Sequence, residues 1–254
     1  MLEVENQNSA CVVSTEKKKI DVKKWLTEYL PLVCTGILLI TFGIIYKQAF
    51  IKLLPTLVSL FVMLLNSRVN RFGLLLGGIN AVIYSIGYFM EKLYPSAVSA
   101  IAISGTMGIV GFVLWSKNQT TDKQVKVRKL TLKSGGLFLA GAIVAWIAFF
   151  FVYRALGTKS LVLDNTLFIL ALVITTMQML RYMEMPYLNI ISLLVSIVQW
   201  TILTVENTAN ITYLIYNIFS LYCVVKSIFV WIKLYREQNN QKCGEEVCQA
   251  VENC

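Results

Sequence analysis

Eight apolar stretches, each long enough to cross a bilayer, run through this 254-residue chain and leave little from which a water-soluble core could be built. They lie near residues 28–46, 49–65, 72–90, 96–115, 136–154, 161–180, 187–205 and 209–232. A hydrocarbon core of ~30 Å needs about 20 helical residues at 1.5 Å each, which these stretches supply. The second is the least regular, because Lys52 and Pro55 interrupt its first turns. Charged residues make up only 15% of the chain, against about 25% in an ordinary soluble domain. The chain is therefore expected to be an all-α polytopic membrane protein of eight transmembrane helices. Residues 1–27 read as a polar N-terminal tail rather than a signal peptide, 28–235 as the membrane domain, and 236–254 as a C-terminal tail.

The net charge of +9 would suggest nucleic acid in a soluble protein, but its placement suggests topology. Seventeen Lys and Arg fall on one set of connecting segments and five on the other, so both termini are expected in the cytoplasm. Lys17, Lys18, Lys19, Lys23 and Lys24 form a patch suited to anionic lipid beside the first span. No basic folded domain is left over for nucleic acid. Cys243, Cys248 and Cys254 lack the close pairing of a zinc site, and the chain has no His, so neither metal nor cofactor is expected.

An internal repeat is visible. Ser104, Gly108, Gly111 and Trp115 share one face of the fourth span, and Ser220, Val224, Ser227 and Trp231 repeat their spacing 116 residues later. The third and seventh spans share a polar stripe, with Gly73, Gly77, Asn80 and Tyr84 in one and Asn189, Ser192, Ser196 and Gln199 in the other. Asn66 and Gln178 match the second span to the sixth. An offset of four spans makes the halves parallel in the membrane, a recurrent transporter construction. Repeat one covers about 49–115, a linker helix about 136–154, and repeat two about 161–232.

Buried polar groups demand partners, so their faces are informative. Asp164, Phe168, Ala171, Thr175 and Gln178 form one stripe of the sixth span, and Tyr213, Tyr216, Asn217 and Ser220 one of the eighth. Together these amides and aromatics suit a small, flat, hydroxyl-bearing ligand. Simpler readings exist for each: Asn80, Gln178 and Asn189 as interhelical hydrogen bonds, Gly108 and Gly111 as helix-packing sites, Asp164 as an N-cap, Trp25, Trp115 and Trp231 as interfacial anchors. Lys226 reads as a snorkelling side chain or a gate. No Walker A or clustered catalytic carboxylates are present, so an enzyme is not expected.

These residues resemble the Pnu family of bacterial B-vitamin transporters over about residues 50–235. The likeness rests on Asn70-Arg71-Phe72-Gly73 with Gly77, Asn80 and Tyr84, and on Phe112 to Trp115 followed by Ser116-Lys117. In the second half it rests on Leu163-Asp164, Gln178 and the Tyr213 to Lys233 run through Trp231. It implies a parallel 3+1+3 repeat core plus one extra N-terminal helix, facilitated diffusion across a bacterial cell membrane, and trapping by phosphorylation. Nicotinamide riboside is the expected substrate, with thiamine, riboflavin or a deoxynucleoside as alternatives, and a non-transporting vitamin receptor as the competing class. Nicotinamide riboside members carry a Trp-rich stretch in the seventh span, where Pro186, Asn189 and Leu193 stand here. The residues expected to face substrate are Asn80, Tyr84, Gln178, Asn189, Ser196, Tyr213 and Asn217, with Gly108, Gly111 and Lys226 in gating or packing. The expected partners are the vitamin or nucleoside and the lipid bilayer; oligomeric state is open, a homo-oligomer included. The halves are expected to rock about the fifth span.

Overall fold

Helices fill every apolar stretch, because inside a bilayer each backbone N–H and C=O must be satisfied within its own segment. The structure, a computed structural model, describes residues 22–48, 50–119, 125–158 and 160–252, with side chains between Tyr29 and Asn240. Among the described residues are eight long helices: α1 Val22–Ile45, α2 Phe50–Ser67, α3 Arg71–Met90 and α4 Tyr94–Lys117, then α5 Leu132–Ala155, α6 Leu161–Met179, α7 Met185–Glu206 and α8 Ile211–Glu252. Among the described residues there is no strand, only two isolated bridges. α4 contains a π-helical stretch over Ser99–Gly105, which the sequence pattern did not announce. α8 continues through residues where a tail was expected. Cys11, Lys17, Lys18, Lys19 and Cys254 lie outside the described residues, as do the side chains of Lys23, Lys24, Trp25, Cys243 and Cys248.

Local chemistry sets the ends. The Asn70 side chain accepts from the Phe72 amide at 3.0 Å and starts α3, and Thr131 accepts from Ser134 to start α5. Pro95 and Pro186 occupy the first turns of α4 and α7, where a missing N–H costs nothing. Val69 and Arg181 hold positive φ of 54° and 67° just beyond α2 and α6. They are 112 residues apart, as are Asn66 and Gln178, so both halves reverse direction through the same unusual backbone state. In that register Lys52 of α2 corresponds to Asp164 of α6.

The helices pack as a closed ring. α2 meets α3, α3 meets α4, α4 meets α6, α6 meets α7, α7 meets α8, and α8 returns to α2. The seams α4–α6 and α8–α2 join the two triplets at equivalent places. α5 leans on α6 from outside, its Phe149 and Tyr153 packing on Phe168. α1 leans on α2 and α8 in the corresponding seat. Apart from Tyr153, no α5 residue is buried, consistent with a lipid-facing helix. It does not lie between the halves, whose contacts run through the two seams.

At the α3–α4 crossing, the backbones nearly touch. A Cβ on Gly108 would lie 2.7 Å from the Gly78 Cα and 2.7 Å from the Leu74 carbonyl oxygen, so only glycine permits this approach.

Candidate functional site

A cavity of about 350 Å³ runs inside the ring, walled by α2, α3, α4, α6, α7 and α8. The α3 stripe faces it whole, through Gly73, Gly77, Asn80 and Tyr84, and the α7 stripe through Ser192, Ser196 and Gln199. From α6 come Phe168, Ala171, Thr175 and Gln178. The π-helical stretch of α4 contributes Ser99, Ala100 and Ser104, consistent with the tendency of such segments to mark functional sites.

Asn80 is 4% exposed, and its amide nitrogen donates to the Pro55 carbonyl at 2.9 Å and to Ser59 Oγ at 2.8 Å. Its Oδ1 has no partner, and neither do Asn66 Oδ1 nor Gln199 Oε1, all three on residues of the cavity wall. An unsatisfied buried acceptor costs about 1–3 kcal/mol, and the wall residues carry three of them.

One end of the wall is aromatic. The Tyr84 ring centroid is 5.2 Å from Tyr88, 5.6 Å from Tyr213 and 6.4 Å from Tyr216. Trp200 lies 6.2 Å from Tyr88 and stacks on Tyr213 at 4.1 Å. Thr56 already donates to the Lys52 carbonyl, so the Tyr84 hydroxyl donates in its 3.3 Å contact with Thr56. Beyond this group, Lys52 and Glu91 form an ion pair at 2.5 Å, both side chains nearly buried.

Beside Gln178, two indoles pack together. Trp115 and Trp231, expected as interfacial anchors, are each 1% exposed and meet edge to face at 6.0 Å. Trp115 Nε1 donates to the Gln178 carbonyl at 3.0 Å, tying the indole pair to a cavity residue. Outside them lies a strap, residues 125–130. Its Arg128 exchanges backbone hydrogen bonds with Arg181 and Met183 at 2.9 Å. Gln238 pairs with the backbone of Val125 and Val127, and the Glu184 carboxylate accepts from the Leu130 amide. Burial, and secondarily Arg128 alongside, draw the Arg181 guanidinium below its ordinary pKa.

Of the residues expected at the site, Asn80, Tyr84, Gln178, Ser196 and Gly108 line the cavity. Tyr213 stands behind Trp200, 1% exposed. Asn217 donates to the Tyr213 carbonyl of its own helix at 2.7 Å, and Asn189 is half-buried off the wall. Gly111 packs against the Leu74 side chain, and Lys226 sits half-buried on α8, off the wall. Asp164 is not an N-cap: Ser160 precedes α6, and Asp164 takes a hydrogen bond from Ser96 of α4. Sequence reasoning passed over Trp200, which stands 116 residues after Tyr84, the repeat spacing already evident from the tryptophans of α4 and α8. The seventh span thus carries an indole on the cavity wall, one turn or more beyond the positions where it was sought.

A family model described as nicotinamide mononucleotide transporter matches residues 49–233. The nicotinamide riboside transporter PnuC of Neisseria mucosa is 23% identical over 177 residues, and the alignment spans 66% of this chain and 66% of that relative's length. The crystal structure of the vitamin B3 transporter PnuC superposes with a TM-score of 0.72 at 19% identity, covering 83% of this chain and 92% of that one. At that identity the likeness establishes the fold.

Proposed function

This chain belongs to the nicotinamide mononucleotide transporter family, and from that footing we propose that it carries nicotinamide riboside across the cell membrane by facilitated diffusion. The supporting observation is the cavity wall, where the aromatic faces of Tyr84, Tyr88 and Trp200 stand beside unpartnered amide oxygens. A pyridine ring stacks on the first, at about 0.5–1.5 kcal/mol per ring pair. Ribose hydroxyls and a carboxamide NH2 donate to the second. Among the described residues no Lys or Arg lines the cavity, which favours the riboside over the mononucleotide: a phosphate there would have no counter-charge.

The riboside passes when the two triplets rock at the α4–α6 and α8–α2 seams. The Trp115–Trp231 pair and the Tyr/Trp group with its ion pair take turns as the barrier. The basic end is cytoplasmic, which puts both termini there. No chemical step is assigned to the protein; phosphorylation after entry keeps the gradient inward.

The test is uptake of labelled nicotinamide riboside into proteoliposomes holding the purified chain, with no nucleotide and no ion gradient. Equilibration is expected, inhibited by unlabelled riboside far better than by thiamine, riboflavin, deoxyadenosine or the mononucleotide. Binding without flux would favour a receptor, and equal inhibition by thiamine would reject the substrate assignment.

A further inference from the structure

Lys52 and Asp164 occupy equivalent seats in the two halves, yet only one of them is neutralised. Lys52 is paired with Glu91. Asp164 is fully buried, and among the described residues no ammonium or guanidinium pairs with it. Ser96 donates to one carboxylate oxygen, the Gln199 side chain is placed to donate to the carboxylate as well, and Oδ2 has no partner. Ser96 and Gln199 both line the cavity, so the carboxylate stands one side chain behind the wall, close to Tyr88.

A buried, unpaired carboxylate is costly, and either a proton or a visiting opposite charge relieves it. Charge acts across one intervening side chain at low dielectric, whereas exposed pairs are screened. Ser96, which holds the carboxylate, and Gln199 beside it both project from the wall a ligand would touch, so they couple it to the passing molecule.

We propose that Asp164 is the charge-selecting residue of the passage, favouring a cationic, N-ribosylated heteroaromatic ring over its neutral counterpart. This rests on the transport reading above and narrows it to the oxidised pyridinium form of the riboside. Ser96 and Gln199 act as positioning residues that fix the carboxylate in place.

The experiment compares two ligands of nearly the same shape in proteoliposomes clamped at zero membrane potential: nicotinamide riboside, which is cationic, and its dihydro form, which is neutral. The wild-type chain is expected to prefer the cation by about tenfold or more, as a site with one desolvated charge should. Asp164→Asn, nearly isosteric, is expected to bring the two within about threefold by losing uptake of the cation while keeping that of the neutral form. Asp164→Glu keeps the sign of the preference, and Ser96→Ala weakens it. A wild-type chain that carries both forms equally overturns the inference without recourse to any variant. An Asp164→Asn chain that keeps the wild-type preference overturns it too, while leaving transport of the riboside standing. A wild-type chain that carries neither form overturns the transport reading and this one together.

Discussion

At the scale of single residues, the cavity is a problem of unmet hydrogen bonds and aromatic surface. Trp200→Ala removes a ring face from the wall and opens a gap against Tyr213, so half-saturation of riboside uptake is expected to rise about five- to tenfold, with Trp200→Phe in between. An unchanged dose–response curve for Trp200→Ala would remove the indole from the binding site. Asn80→Ala deletes two donor contacts, leaving Ser59 and the Pro55 carbonyl to repack; a loss of about 1–3 kcal/mol in detergent unfolding is expected, together with loss of uptake. The two readouts separate structure from binding, since Asn80→Asp should lose the donors to Pro55 and Ser59 while keeping an acceptor in place. Asn217 shows why residue type alone misleads. A buried amide in a helix can bond the carbonyl four residues back, as this one does, which satisfies one of its two N–H donors without any ligand. No feature of the sequence distinguishes that choice from a ligand contact.

At the scale of elements, close backbone contact and the strap carry the predictions. Gly108→Leu places atoms where the Gly78 backbone already lies, and neither helix can yield a flexible side chain there. A loss of about 1–3 kcal/mol or misassembly is expected, read by thermal unfolding. Gly141→Leu on α5, where an added Cβ meets nothing within 4 Å, is the control and should leave the midpoint unchanged. For the strap, Glu184→Ala with Gln238→Ala removes the side chains that hold residues 125–130 against the bundle. Hydrogen exchange at Val127 and Leu130 should accelerate at least tenfold while the core of α3 stays protected; slow exchange throughout would mean the bridge to Arg181 and Met183 suffices alone. The helices themselves were legible, since hydrophobic length and connecting charge suffice to place them. The strap was not, because an irregular polar segment records nothing of what it will cover. For the same reason the tryptophans at the ends of α4 and α8 read as interfacial, although folding of the segment over them puts both in a core.

At the scale of the whole molecule, the ring and its seams were foreseeable from the repeat, because two triplets of like orientation enclose a space only by closing on each other. What periodicity could not give was the place of α1 and α5, which depends on contacts outside the repeated faces. Topology is checkable directly: reporters fused after Lys117 and after Lys92 should report opposite sides, with the Lys117 fusion cytoplasmic. Flux should be uncoupled, so that a voltage of 100 mV, inside negative, shifts the steady state of a monovalent cation roughly fifty-fold, and abolishing the voltage returns it to equality. The Lys52–Glu91 pair in one half and the solitary Asp164 in the other have a consequence for kinship between the halves. Two copies of the first half would present two neutralised pairs, and two copies of the second would present two bare acids. Neither doublet reproduces the present division of labour, so the halves have ceased to be interchangeable parts, and their fusion in one polypeptide keeps the unlike seats in a fixed ratio of one to one.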